Sequence, residues 1–210
     1  MSDVGLSLLA VHLSDGAVAP GWLAGGFAGA AALVAAACWR LPEERIPRVG
    51  VLTAAFFTAS TVHIKLAVLP TTVHLILNGL VGVALGRRAP LAVAVGLALQ
   101  YLLLAHGGLT TLGLNTCIIA LPAVAAGAAY PLLRRAGVPP FGRGLLLGAA
   151  AVAGAAVLNF LALLLGGQED WTRLAELVLL AHLPVVAVEG LILGVVVRYV
   201  EKVKPELLNG

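Results

Sequence analysis

Between residues 19 and 199 one apolar run follows another with only short polar breaks, and that pattern leaves a chain few ways to fold. About 20 consecutive apolar residues cross the hydrocarbon core of a bilayer as a helix. The runs 19–39, 49–69, 71–86, 90–105, 116–133, 144–165 and 172–199 predict an all-α polytopic membrane bundle of about seven transmembrane helices. Composition points the same way: 60% of residues are hydrophobic and 11% charged, where a soluble domain carries roughly 25% charged residues. So few charges cannot coat a water-soluble core made from 210 residues, which excludes a cytosolic enzyme or a nucleic-acid binder. The solvent of this chain is membrane lipid.

The basic residues orient the bundle. Arg40, Arg45, Arg48, Arg87, Arg88, Arg134, Arg135, Arg143, Arg198, Lys202 and Lys204 fall in alternate connections or after the last run, leaving only Lys65 and Arg173 elsewhere among the 13 Lys and Arg. By the positive-inside rule the N-terminus is outside and the C-terminus cytoplasmic. That alternation needs an odd number of crossings. Runs two and three are divided only by Pro70 and runs three and four are short, so a six-helix arrangement stays open. No long polar linker remains, so residues 11–210 read as one membrane domain behind a ten-residue extension, 1–10.

Polar residues inside such a chain need a reason. His12, His63, His74 and His106 all map to the outer side, and imidazole is a common ligand for late first-row divalent metals. A single histidine there is usually an interfacial side chain; four point to metal. His182 and Glu189 lie deeper, seven residues apart on one helical face. Glu189 is expected to hydrogen-bond structurally, with Asn159, Asn78 or Gln100 across the bundle, or a neighbouring subunit, as candidate partners. The glycine-rich stretch 106–115 is either a re-entrant lid over the outer site or a simple external loop. Ala24, Ala28, Ala32 and Ala36 form a small-residue stripe on the first helix. Such a stripe lets backbones approach, within this bundle or against another subunit. Cys38 and Cys117 stand alone in apolar runs, without the spacing of a metal or disulfide pair. No Walker A, GxSxG or HExxH sequence occurs, and the few intramembrane carboxylates suit no proton- or sodium-coupled carrier. A single apolar bundle with an outer site and no energy source of its own suggests a capture subunit of a larger machine.

The segments VHLSDGAVAP (11–20), HIKLAVLPTTVHLILNGLVG (63–82), LGRRAP (85–90), HGGLTTLGLNT (106–116) and AHLPVVAVEGLI (181–192) resemble, in order, those of CbiM. That family supplies the substrate-capture (S) component of energy-coupling factor cobalt transporters, and is closely similar to the nickel component NikM. The resemblance implies Co²⁺ or Ni²⁺ as transported substrate, with no organic cofactor. It also implies a prokaryotic cell membrane as the location. The implied partners are a CbiQ-type coupling protein, CbiO-type ATPase subunits and a small CbiN-type subunit. Family chains begin Met-His, and the metal is held by the terminal amine, the backbone nitrogen and side chain of that histidine, and a later histidine. Carried over, these are His12 and His74, with the amine at Val11 if translation starts there; His63, His106 and Asn115 match positions near the site, in supporting or gating roles. Ten residues precede Val11 here, so a start at position 11 is expected. The resulting expectation is cobalt capture for cobalamin synthesis, with nickel capture as the alternative. A membrane-embedded metalloenzyme and a purely structural subunit are the readings from other classes.

Overall fold

The computed structural model of the chain describes residues 12–65 and 72–208. Its helices are α1 (Pro20–Cys38), α2 (Ile46–Ser60), α3 (Asn78–Leu85), α4 (Ala89–Leu104), α5 (Leu112–Arg135), α6 (Pro140–Gly166), α7 (Thr172–Ala181) and α8 (Leu183–Val203). Single 3₁₀ turns occupy Glu43–Arg45, Gly86–Arg88 and Pro205–Leu208. Five of the helices (α1, α2, α4, α6 and α8) carry proline in the first turn, where the missing N–H has no partner to lose. The architecture is an all-α membrane bundle with one small hairpin set into it.

Among the described residues five stretches are long and apolar enough to cross a membrane: Pro20–Cys38, Asn78–Leu104, Leu112–Arg135, Pro140–Gly166 and Thr172–Val203. The second is not one rod. A straight helix of its 27 residues would extend about 40 Å, yet the rings of His74 and His106, which flank it, lie 6.2 Å apart. The chain folds back at Gly86, whose φ of 56° suits glycine, so α3 and α4 run as an antiparallel pair. The break expected at Arg87–Arg88 is therefore present. The span expected over 71–86 is not a full crossing, since α3 has eight residues and rises only about 12 Å.

The helix expected over 49–69 ends at Ser60. An antiparallel hairpin follows, β1 (His63–Lys65) with β2 (Thr72–His74), pairing His63 with His74, Ile64 with Val73 and Lys65 with Thr72. Thr61, Val62, Ile64, Thr72 and Val73 are β-branched, and a short apolar run of that kind cannot be told from a helix by periodicity. Pro70 lies outside the described residues. The last span is also divided, because the chain bends at His182 between α7 and α8, with Pro184 in the first turn of α8.

The exterior is apolar: Leu102, Val51, Leu103 and Leu165 are each about two-thirds exposed or more, as lipid-facing side chains are. Inside, backbone meets backbone. Gly144 and Gly148 on α6 face Gly190 and Gly194 on α8, and a Cβ at Gly144 would sit 2.3 Å from the Leu193 carbonyl oxygen. Small residues four apart on both helices permit that approach. The stripe noticed in α1 does not pack here. Ala24, Ala28, Ala32 and Ala36 are exposed, and α1 meets α5 through Gly26 and Gly29, against Leu114 and Cys117.

Candidate metal site

The N-terminal segment 12–19 runs across one end of the bundle and is bonded at both of its own ends. At its far end Val18 forms a bridge with Gly167, and the Ala19 N–H donates to the Gly166 carbonyl at 2.7 Å. At its near end Asn115, on the first turn of α5, clamps Leu13. The Leu13 N–H donates to Asn115 Oδ1 at 2.8 Å, and Asn115 Nδ2 donates to the Leu13 carbonyl at 2.9 Å. Thr111 Oγ1 adds a bond to the same carbonyl at 2.6 Å. Asn115 and Thr111 are buried, so these bonds hold the backbone beside His12 without competition from water.

Asp15 fixes the neighbouring loop. It accepts from the Thr110 N–H at 2.8 Å, from the Leu109 N–H at 3.2 Å and from the Thr110 hydroxyl. Partial burial works against its charge, but the bonds from Thr110, Leu109 and Thr111 outweigh it and hold its carboxyl below the usual 3.8. Gly108 has no room for a side chain, since a Cβ there would lie 2.2 Å from Asp15 Oδ1. Of the stretch 106–115, the residues from Leu112 onward are helical; the part before it is a short loop tied to 12–15.

These contacts bring three of the expected histidines together. His12 stacks on His74 with ring centroids 4.9 Å apart and planes 9° apart, and His74 faces His106 at 6.2 Å and 10°. His12 and His74 are buried. His74 Nδ1 lies 3.0 Å from the Leu75 carbonyl; a carbonyl only accepts, so the Nδ1 carries the proton in that bond. His12 Nε2 is buried with no hydrogen-bond partner among the described residues. Burial foremost, then the nearby His74, His106 and His182, hold the His12 imidazole well below its usual 6.5. It is neutral at pH 7, which is the ligating form. His63 lies opposite His74 in the hairpin register.

His182 and Glu189 are both buried. The His182 Nδ1–H donates to the Val178 carbonyl at 2.6 Å. Glu189 does not pair with Asn159, Asn78 or Gln100 through the bonds expected of it. It accepts the backbone N–H of Leu77 on both oxygens, at 2.8 and 2.9 Å, and that of Ile76. Residue 77 is left-handed, with φ of 52°, so α8 supplies the carboxylate that holds the turn between His74 and α3. Asn78 instead donates to the Ala151 carbonyl at 3.0 Å. Sequence reasoning missed Asp15 and Thr111. The available signal for Thr111 was its place four residues before Asn115, on the same helical face.

Among the described residues no group of three or more His, Cys, Asp and Glu is arranged to hold a metal ion as it stands. The rings stack face to face, whereas ligand lone pairs lie in the ring plane. The residues expected to complete the site, Val11 and any terminal amine, lie outside the described residues.

A family model described as CbiM, cobalt uptake substrate-specific transmembrane region, matches residues 12–207. A candidate metal transport protein of Haemophilus influenzae is 34% identical over 205 residues, covering 95% of this chain and 97% of its own length. A cobalt transport protein CbiM of Sorangium cellulosum is 31% identical over 213 residues, covering 95% of each chain. The crystal structure of a transition metal transporter superposes with a TM-score of 0.81 at 23% identity, over 93% of this chain and 94% of that one.

Proposed function

Because the chain belongs to the CbiM family of cobalt-uptake transmembrane proteins, we propose that it captures Co²⁺ at the outer face for ATP-driven uptake that feeds cobalamin synthesis. It is a membrane component of metal uptake and not an enzyme. The observation that carries the proposal is the histidine cluster: His12 and His74 are stacked and buried, and the His12 Nε2 has no hydrogen-bond partner among the described residues. In this reading both are ligands, and the 12–15 segment is their mount. His106 closes the cluster from the α4 end, Asn115 sets the backbone, and His63 acts from the hairpin. Glu189 positions His74 through the turn at Leu77.

Four nitrogens in a plane, completed by the Val11 amine and the His12 backbone nitrogen, suit Ni²⁺ and hold Co²⁺ as well. That geometry needs a mature chain that begins at residue 11. Intact mass of the native protein tests it, and a chain retaining residues 1–10 would require a different ligand set. Energy comes from partners: a CbiQ-type coupling protein, CbiO-type ATPases and a CbiN-type subunit. The exposed stripe Ala24, Ala28, Ala32 and Ala36 is the face offered to the coupling protein.

The deciding experiment is calorimetric titration of the purified native protein with Co²⁺ and Ni²⁺. His12→Ala and His74→Ala are each expected to lower affinity by about 100-fold or more, with unchanged helical circular dichroism. Near-wild-type affinity in both variants overturns the site. Tighter binding of Ni²⁺ together with nickel-dependent uptake replaces cobalt as the cargo.

A further inference from the structure

The opposite end of the bundle carries a cluster that the metal reading leaves unused. The N-cap residues of α2 and α4 are Arg45 and Arg88, neither helix has a side-chain cap bond, and neither has an acidic residue in its first turn. A helix N-terminus is the positive end of its dipole and favours an anion. Here two such ends are each occupied by a cation.

The surrounding geometry concentrates the charge further. Arg48 Nη2 donates to the Ala84 carbonyl at 2.5 Å and to the Leu207 carbonyl, which draws α2 onto the end of α3 and the closing turn. Arg87 Nη2 donates to the Trp39 carbonyl at 3.2 Å, which draws the α3–α4 turn onto the end of α1. Arg45 and Arg88 lie within electrostatic reach of Arg48, and Arg45 and Arg87 within reach of Arg88. Arg88 is 7% exposed, and its Nε is buried with no hydrogen-bond partner. Among the described residues no carboxylate pairs with any of the four; the one ion pair, Arg143 with Glu201, uses a different arginine. The nearby Glu43 and Glu44 form none.

We propose that Arg45, Arg48, Arg87 and Arg88, with the N-termini of α2 and α4, bind the phosphate of an anionic membrane lipid. A phosphate offers several acceptor oxygens and a charge, which suits guanidinium forks and the positive ends of helix dipoles. A lipid is the source because the cluster opens onto the apolar exterior. Trp39 is 66% exposed, Ile46 53% and Val51 69%, so acyl chains can lie along α1 and α2 while the headgroup meets the arginines. Tryptophan at that level is typical of a membrane interface, and basic pockets between transmembrane helices take such headgroups.

The test is native mass spectrometry of the full-length protein with phosphatidylglycerol and phosphatidylcholine of identical acyl chains. Phosphatidylglycerol is expected to be retained preferentially. Arg45→Gln with Arg87→Gln, at partly exposed and exposed positions, should weaken retention roughly 25-fold, at about fivefold per arginine. Arg88→Gln should weaken it as well, while Arg134→Gln with Arg135→Gln leaves it unchanged. Equal retention of the two lipids, or an unchanged double variant, overturns the proposal. Displacement of the lipid by millimolar inorganic phosphate assigns the cluster to a free anion and overturns it too. Should Arg88→Gln fail to fold, the double variant still decides.

Discussion

Asp15 is where the N-terminal segment and the loop bearing His106 become one piece, through its bonds to Leu109 and Thr110. Its carboxyl titrates below 3.8 in the folded chain and near 3.9 when unfolded. A depressed carboxyl contributes stability above its unfolded value and loses it as pH falls through the folded one. Acidification below about pH 4 should therefore loosen this end of the molecule. Asp15→Asn should flatten the acid limb of a denaturation series while leaving neutral-pH unfolding nearly unchanged. Identical acid limbs in the two proteins would refute the role. The histidines could be read as a group from the sequence because charge distribution alone puts them on one side. Asp15 and Thr111 could not, because each bonds to backbone, and any residue at the far end of such a bond would serve equally well.

At the scale of elements, α8 governs how α3 begins. Two N–H groups, of buried Ile76 and half-buried Leu77, rely on Glu189; left without an acceptor, the buried one would cost about 1–3 kcal/mol. Glu189→Ala should lower the thermal midpoint by several degrees and speed amide exchange at residues 76 and 77. It should also weaken Co²⁺ binding although it removes no ligand. Glu189→Gln, which keeps one acceptor, should fall between. Unaltered exchange at those amides in the alanine variant would exclude the capping role. The long uniform spans were legible because helices such as α1, α5 and α6 satisfy their own backbone hydrogen bonds and need only apolar length. The stretch from Thr61 to Leu77 was not, because its conformation is dictated from a distance, by pairing across a hairpin and by a carboxylate more than 100 residues on.

The whole molecule is polar at two ends and apolar between them: histidines and the Asp15 loop at one, four converging arginines at the other. The positive-inside rule assigns the arginine end to the cytoplasm; on that reading a Cys38→Ser, Cys117→Ala background carrying Glu169→Cys should react with a membrane-impermeant maleimide in intact cells. One carrying Lys202→Cys should react only after permeabilisation. The reverse pattern inverts the topology. This polarity was legible in the spacing of basic residues, whereas the fold-back of α3 on α4 was not, because it rests on a glycine turn and not on apolar length. The histidine cluster has one more consequence. Among the described residues, the charged or titratable groups close enough to act on the His12 ring are three other imidazoles. In the proposed site a dication would meet these imidazoles and be retained by directional coordinate bonds more than by opposite charge. Such a grip would depend steeply on alignment, so that a small rotation of one ring would let the ion go: the proposed site would suit loading and unloading, and would serve poorly as a store.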